Sequence, residues 1–427
     1  MMCQCLTNFL IKTSCAIQLF LIRFPNCITS QILSFFYVID LIIYTSYGAK
    51  EFLCKRFELI GPNFAALGKV VVGDYNQVAE ILQSPQKRGY FLGRARLVPS
   101  KVPKDFILFL SDQEAGGNDL HSVLHNDIWE NVMPKAMKRL SDPAFSRYIS
   151  EAVAKTRSMP KDKKGFSDEI QKLVVRYVFH AIFDYPLSND QVDLFHELFF
   201  SSSPTTSFIN GAVKPFARLS CCCQGKRSKN IDEIMNIILQ SPIMSDYAPS
   251  EGNAYRTREE YAEHLMTVTG IAGCVGSAAL CLQVFLAIPD DVPIDLTDHK
   301  ELMLAVLEAA RVRPPVNNVN VILKHEMELL VGGKKFKFSP GTAVAASIGL
   351  ASADPAVFSN PNVYNPKREN LLEATLNFNH VGFNSVGSGR RQCPGRNLAM
   401  KLASDLLIET RSYEKEKVYR PPTANSN

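Results

Sequence analysis

Among the 427 residues there is no Cys-x-x-C pair and no regular cysteine spacing, although 11 cysteines are present. The count is odd and three of them are consecutive, Cys221, Cys222 and Cys223, so no disulfide framework follows and a reducing compartment is the natural setting. Charge of one sign is also scarce. Lys and Arg number 47 against 42 Asp and Glu, a formal net charge of +5, and there is no long basic run, so the composition does not point to nucleic acid. No HExxH glutamate accompanies the histidines, which removes the commonest helical zinc site. Internal repeats and long low-complexity tracts are missing as well. What remains is 46% hydrophobic and 21% charged, ordinary for a globular chain and enough for one large core or two to three smaller ones.

The first fifty residues are the most apolar. Residues 15–24 and 32–47 are hydrophobic runs broken by Arg23, Pro25 and Asp40. The second is about long enough for a short membrane span, but an acid near its middle is costly there. Residues 1–50 thus read as an anchor or interfacial helix, a buried helix, a targeting segment or a start outside the mature protein, set apart from a single domain at 51–427. Further on, the pattern predicts a strand over 67–72 and a helix over 75–83. Residues 119–129 are helical by spacing, with His121 and His125 one turn apart, followed by amphipathic helices at 170–182 and 192–200. Residues 204–229 read as a loop rich in Ser, Thr and Cys. Its cysteine triplet beside Lys226, Arg227 and Lys229 is either a lipid-modified patch or a loop tip. Residues 321–330, 335–338 and 344–350 are strand-like, with Gly332 and Gly333 as a turn.

Three stretches carry chemistry. Residues 259–289 form the longest apolar helix, and Gly270, Ala272, Gly273, Gly276 and Ser277 make one part of it small. Each interior glycine costs about 1 kcal/mol relative to alanine, which a helix tolerates when something bulky lies against its backbone: a flat cofactor or a neighbouring helix. Residues 299–313 follow as a helix with Glu308 and Arg311 on one face, able to pair. Residues 387–400, GSGRRQCPGRNLAM, then set Cys393 before a helix whose first position suits Pro394. The positive end of that helix favours a thiolate, Gly389 and Gly395 let backbone approach something flat, and Arg390, Arg391 and Arg396 suit an anionic ligand. Such a lone thiolate is either a haem axial ligand or a buried structural cysteine.

Gly389, Arg391, Cys393 and Gly395 resemble the cysteine loop F-x-x-G-x-R-x-C-x-G of the cytochrome P450 superfamily, with Val386 in place of the leading aromatic. Glu308 and Arg311 resemble its E-x-x-R pair, and Arg368 the arginine that completes a Glu–Arg–Arg cluster with them. The order of small-residue helix, E-x-x-R, arginine and cysteine loop is the family's own, firm over residues 259–407. The resemblance implies a mainly α fold with a small β region, lacking the family's usual carboxyl-terminal β hairpin. It implies haem b with Cys393 on the iron, Gly389, Arg391 and Gly395 around it, and His121 and His125 as candidates for the haem propionates. Family members that activate dioxygen carry A-G-x-[DE]-T on the central helix, whereas this chain reads Ala272-Gly273-Cys274-Val275-Gly276, with Ser277 one residue late. The acid and alcohol are likewise missing in allene oxide synthases, hydroperoxide lyases and prostacyclin synthase. The expectation is O–O cleavage in a lipid hydroperoxide or endoperoxide, with Gly273, Cys274 and Ser277 shaping the distal pocket. A monooxygenase of a hydrophobic substrate using dioxygen and a reductase, and a non-catalytic haem-binding relative, remain the alternatives. Membrane contact is among the expected partners, and the expected location is the cytosolic face of a membrane or the cytoplasm.

Overall fold

Two tight turns set the small β region. Leu67 and Gly68 both take positive φ, 53° and 68°, which folds Lys69–Val72 (β2) back antiparallel on Asn63–Ala66 (β1). Gly332 and Gly333, at 56° and 78°, do the same for Met327–Val331 (β6) and Lys334–Phe338 (β7). Positive φ at both central residues matches the twist of the flanking strands. The pattern over 67–72 predicts one strand; the structure puts residues 67 and 68 in the turn and adds β1 before it. The main sheet runs β1-β2-β8-β5, with Ala343–Ser347 (β8) parallel to β2 and antiparallel to Asn318–Ile322 (β5). A short pair, Glu114–Ala115 (β3) and Asn118–Asp119 (β4), occupies the position where the spacing predicts a helix start at 119. This computed structural model describes residues 2–24, 49–83, 114–115, 118–119, 128–161, 163–200, 221–245, 257–379 and 392–419, with isolated positions 29, 32, 33, 35, 36 and 40. Residues 106–110, 204–220 and 420–427, with His121, His125, Gly389 and Arg391, lie outside the described residues.

The rest is helical. In chain order come Met2–Arg23 (α1), Ala49–Ile60 (α2), Tyr75–Gln83 (α3), Met133–Arg139 (α4, entered through a π turn at Ile128–Val132), Pro143–Thr156 (α5) and Lys164–Phe183 (α6). Asn189–Phe200 (α7), Cys221–Gln240 (α8), Pro242–Ser245 (α9), Arg258–Thr267 (α10), Gly276–Ala287 (α11) and His299–Val312 (α12) follow. Ile348–Ala351 (α13), Leu371–Ala374 (α14) and Arg396–Tyr419 (α15) complete the set. The helix α3 buries Tyr75, Val78, Ile81 and Leu82, the face its spacing predicts. α12 starts where the Asp298 carboxylate accepts from the Lys300 and Glu301 amides at 2.7 and 3.4 Å, a cap that contributes about 1 kcal/mol, and gives way to Pro314 and Pro315. Cys221 opens a helix rather than lying in a loop, and α15 continues through the charged residues 414–419.

Two apolar cores result. One joins α4 to α12 and α15 through residues such as Phe145, Tyr177, Leu265, Cys281, Leu307 and Leu402; the other lies on the β1–β2–β8–β5 sheet. α1 belongs to the second, for Cys15 and Ile22 are among its members. Asp40, costly in the centre of a bilayer, is buried here and fully partnered. It accepts from Arg56 Nη2 at 3.0 Å, Gln18 Nε2 at 2.9 Å and the Leu67 amide at 2.7 Å, while Gln18 Oε1 takes the Gly68 amide at 2.9 Å. The β1–β2 turn is thus capped by side chains from the amino-terminal segment.

Candidate functional site

Cys393 sits between a strained turn and a long helix. Phe378, in the short turn Asn377–Asn379, has φ 66° and ψ 24°, the left-handed region that a bulky residue rarely adopts. Its carbonyl accepts from the Cys393 amide at 3.0 Å. Pro394 and Gly395 then form a turn, and α15 begins at Arg396, two residues later than the position the proline predicts. The Arg396 amide meets the Cys393 carbonyl at 3.4 Å and the Ala399 amide the Gly395 carbonyl at 3.0 Å. Cys393 is therefore partly exposed at the positive end of a 24-residue helix. A Cβ built at Gly395 would meet no atom within 4 Å, so open space lies beside this backbone. Burial pulls the Arg396 guanidinium below its ordinary pKa, and the charge of Cys393 opposes that shift. The same guanidinium lies 5.8 Å from the ring centre of Trp129, the single tryptophan of the chain, in the π turn before α4. The sequence shows Trp129 only as the end of a helical run; its place beside the cysteine helix needs the tertiary fold.

The long central helix is not uniform. α10 and α11 are joined by a π-helical segment, Val268–Val275, a wide turn of the kind that marks functional sites. Its two sides differ. Ala272 and Val275 are exposed, and a Cβ at Gly276 would meet nothing within 4 Å. Cys274 and Ser277 are turned into the protein, 1% and 6% exposed. Burial pushes the Cys274 thiol well above its ordinary pKa, and that of Cys281 up to about 12, so both are neutral. Thr269 is buried as well. The small residues serve two purposes. Gly270 and Gly273 make room for side chains of neighbouring helices, and Gly276 borders open space. α11 packs against α15, the helix that follows Cys393.

α12 contributes to a buried ion cluster. Arg311 Nε and Nη2 donate to the Glu308 carboxylate at 2.7 and 2.8 Å, and Arg368 Nε donates to it at 3.0 Å. Glu308 is wholly buried and also accepts from the Asn365 amide at 3.0 Å. Each guanidinium also donates to carbonyls: Arg311 to Ser352 and Pro361 at 2.7 and 2.8 Å, Arg368 to Ser359, Asn360 and Val363. Two positive groups on one carboxylate are tolerated because each is also held by carbonyl dipoles. The structure thus brings together Glu308, Arg311 and Arg368 from places 60 residues apart in the chain.

A flat group that brings its own equatorial donors fits these residues. The site offers one sulfur with side-chain-free backbone at Gly395. Among the described residues no cluster of three or more His, Cys, Asp or Glu could hold a metal ion unaided. Cys393 is also the single cysteine between residues 287 and 409.

Comparison with known proteins bears on those same residues. The cytochrome P450 family model matches residues 287–409. A divinyl ether synthase of tomato, Solanum lycopersicum, is 26% identical over 166 residues, which cover 37% of this chain and 35% of that protein. A nicotine N-demethylase of Nicotiana tomentosiformis is 30% identical over 110 residues, 25% of this chain and 20% of that one. The matched segments thus span about a third or less of these relatives' length. Among solved structures, CYP108D1 of Novosphingobium aromaticivorans superposes with a TM-score of 0.57 at 19% identity, covering 86% of this chain and 89% of that one. The fold is the mainly α cytochrome P450 fold, and its cofactor is haem iron ligated by a cysteine. On the family-model match, the fold and the order of the motifs, residues 287–409 of this chain are those of a cytochrome P450.

Proposed function

We propose that Cys393 is the haem ligand and that the protein cleaves the O–O bond of a lipid hydroperoxide or endoperoxide without a reductase. The observation that carries this reading is the open face of the wide turn, where Ala272, Val275 and Gly276 offer no acid and no hydroxyl. Delivering protons to bound dioxygen requires a donor on that face; Cys274, Ser277 and Thr269 are buried away from it. A peroxide substrate already holds oxygen at the reduction level that the cleavage needs, so no outside electron enters the balance. Thiolate-ligated haem supplies the electron density that favours O–O cleavage. The chain's residues supply the rest: an apolar face that orients a lipid chain and keeps water out, and a helix start that holds Cys393 as thiolate. The likeness to the tomato divinyl ether synthase, and to its potato counterpart at 25% identity, supports the same direction. Gly389, Arg391, His121 and His125 are proposed as further haem contacts on the resemblance alone.

Purified protein supplied with a fatty-acid hydroperoxide should consume it with neither NADPH nor reductase present. Turnover that strictly needs a reductase and dioxygen would instead establish the monooxygenase reading, to which the nicotine N-demethylase match lends weight. Haem uptake with no turnover of either kind would leave a binding protein. Cys393→Ala should lose the thiolate-type Soret band of the reduced carbon-monoxide complex; a band unchanged in this variant would remove Cys393 from the iron.

Membrane contact belongs to the same proposal. The outer face of α1 exposes Phe9, Leu10, Ile17 and Phe20, while Lys12 and Arg23 are the helix's charged residues and no carboxylate lies within it. An apolar ridge with Lys12 along it and Arg23 at its end suits the surface of an anionic bilayer.

A further inference from the structure

The wide turn Val268–Val275 carries two glycines a turn apart, and each is occupied from the protein side. A Cβ at Gly270 would overlap the Cε1–Cζ edge of Phe199, near the end of α7, and one at Gly273 would lie 3.2 Å from Val178 Cγ1 on α6. Phe199 has little freedom to yield. Its ring centre is 5.9 Å from that of Phe195, which lies 4.4 Å from Phe179, and Phe179 lies 4.3 Å from Phe183. Phe179 follows Val178 directly in α6. So α6 meets the wide turn once through Val178 and again through the ring series that ends on Phe199. The opposite side of the turn is the open face of Ala272, Val275 and Gly276. A π segment is a rare interruption of an α-helix, so the side chains packed against it help to decide its position.

We propose that Phe199 is a positioning residue: seated on Gly270, its ring sets the register of the wide turn and thereby the shape of the pocket wall that Ala272, Val275 and Gly276 present to substrate. It couples α7 to that wall, so a substrate that shifts α7 shifts the wall with it. This rests on the proposed function only in taking the open face as the pocket wall; it needs neither peroxide nor dioxygen chemistry.

The test uses the full-length, haem-loaded protein and two independent readouts. Amide hydrogen exchange across residues 268–276 should quicken about tenfold or more in Phe199→Ala, with residues 396–407 of α15 unchanged. Ricinoleic acid, a long-chain hydroxy fatty acid with no peroxide, should bind about tenfold more weakly by Soret titration, whereas imidazole, far smaller than a fatty acid and so resting on little of the wall, should stay within about twofold. Gly270→Ala should displace the ring and act in the same direction, and Phe199→Leu, which restores bulk, should recover most of both effects. If Phe199→Ala takes up no haem, the comparison runs between Phe199→Leu and Phe199→Val, whose losses should follow side-chain volume. Exchange over 268–276 equal to wild type in all these variants overturns the proposal, as does an equal loss of imidazole and ricinoleic acid affinity. Wild type that binds ricinoleic acid and consumes no hydroperoxide would sink the reaction proposed above and leave this coupling intact.

Discussion

Glu308 is wholly buried and accepts hydrogen bonds from Arg311, Arg368 and the Asn365 backbone. Glu308→Gln removes the charge while keeping the shape, which leaves two guanidinium groups without their counter-charge. Breaking such a buried cluster costs about 3–5 kcal/mol. Chemical denaturation of the variant should show a loss of that order with reduced haem uptake; a loss under about 1 kcal/mol would mean that the carbonyls alone hold the arginines. Lys69 gives the opposite sign. Burial lowers its pKa from 10.5 to about 8, although its ammonium donates to Asn320 Oδ1 at 2.7 Å. Below pH 8 the folded state bears the full desolvation penalty. Between about 8 and 10.5 the unfolded chain still holds the proton that the folded one has released, so stability rises with pH. Lys69→Met should flatten that rise, worth up to about 3 kcal/mol, and stabilise the protein most at neutral pH. Melting curves from pH 7 to pH 10.5 that run parallel for the two proteins would contradict the assignment.

Among the elements, α1 and the central helix carry most of the functional argument. α1 is apolar on two sides for different reasons. Its inner side, with Cys15 and Ile22, docks on the sheet, and Gln18 reaches the β1–β2 turn. Its outer side exposes Phe9 at 64% and Phe20 at 61%, more than a side chain serving only the core would show. Replacing both by serine should leave the melting temperature within about 2 °C and cut sedimentation with anionic phospholipid vesicles severalfold. Equal sedimentation would assign the ridge to something other than lipid. The central helix Tyr261–Ala287 is the one helix among the described residues long and apolar enough to cross a membrane. It runs instead through the helical core, where Tyr261, Leu265, Cys281 and Val284 are buried. Its apolarity was legible in the sequence, but its division into a packed side and an open side was not. Glycine reads the same whether a neighbouring ring or a cofactor lies above it.

At the scale of the molecule, the chain closes on itself. β2, within the first seventy-odd residues, pairs with β8 beyond residue 340, Val70 to Val344 through Val72 to Ala346. α15 packs on α5 as well as on α11 and α12. The stretch that resembles known proteins most, residues 287–409, is thus not a self-sufficient unit. A fragment covering residues 257–427 should lack a cooperative melting transition and bind haem weakly, because β8 would present an unpaired edge and α11 and α15 would expose the faces that α6 and α5 cover. A sharp two-state transition in that fragment would refute this.

The sequence by itself determined the chemistry-bearing stretch near the carboxyl end. The order of Glu308, Arg311, Arg368 and Cys393 is legible through its resemblance to a family pattern, while the faces of α3 and α12 and the turn at Gly332 and Gly333 follow from local rules of spacing, capping and left-handed backbone. Local rules also misplaced what depends on distant partners: β1 hidden before Leu67, the helical start at Cys221 and the two-residue delay of α15. Only the tertiary structure decided that Asp40 is a buried anchor point for Arg56 and Gln18, that Trp129 lies over Arg396, and that Gly270 is filled by Phe199 while Gly276 is left open. The physical reason is that a residue's type fixes which contacts it tolerates, whereas packing between segments far apart in the chain chooses which one it receives.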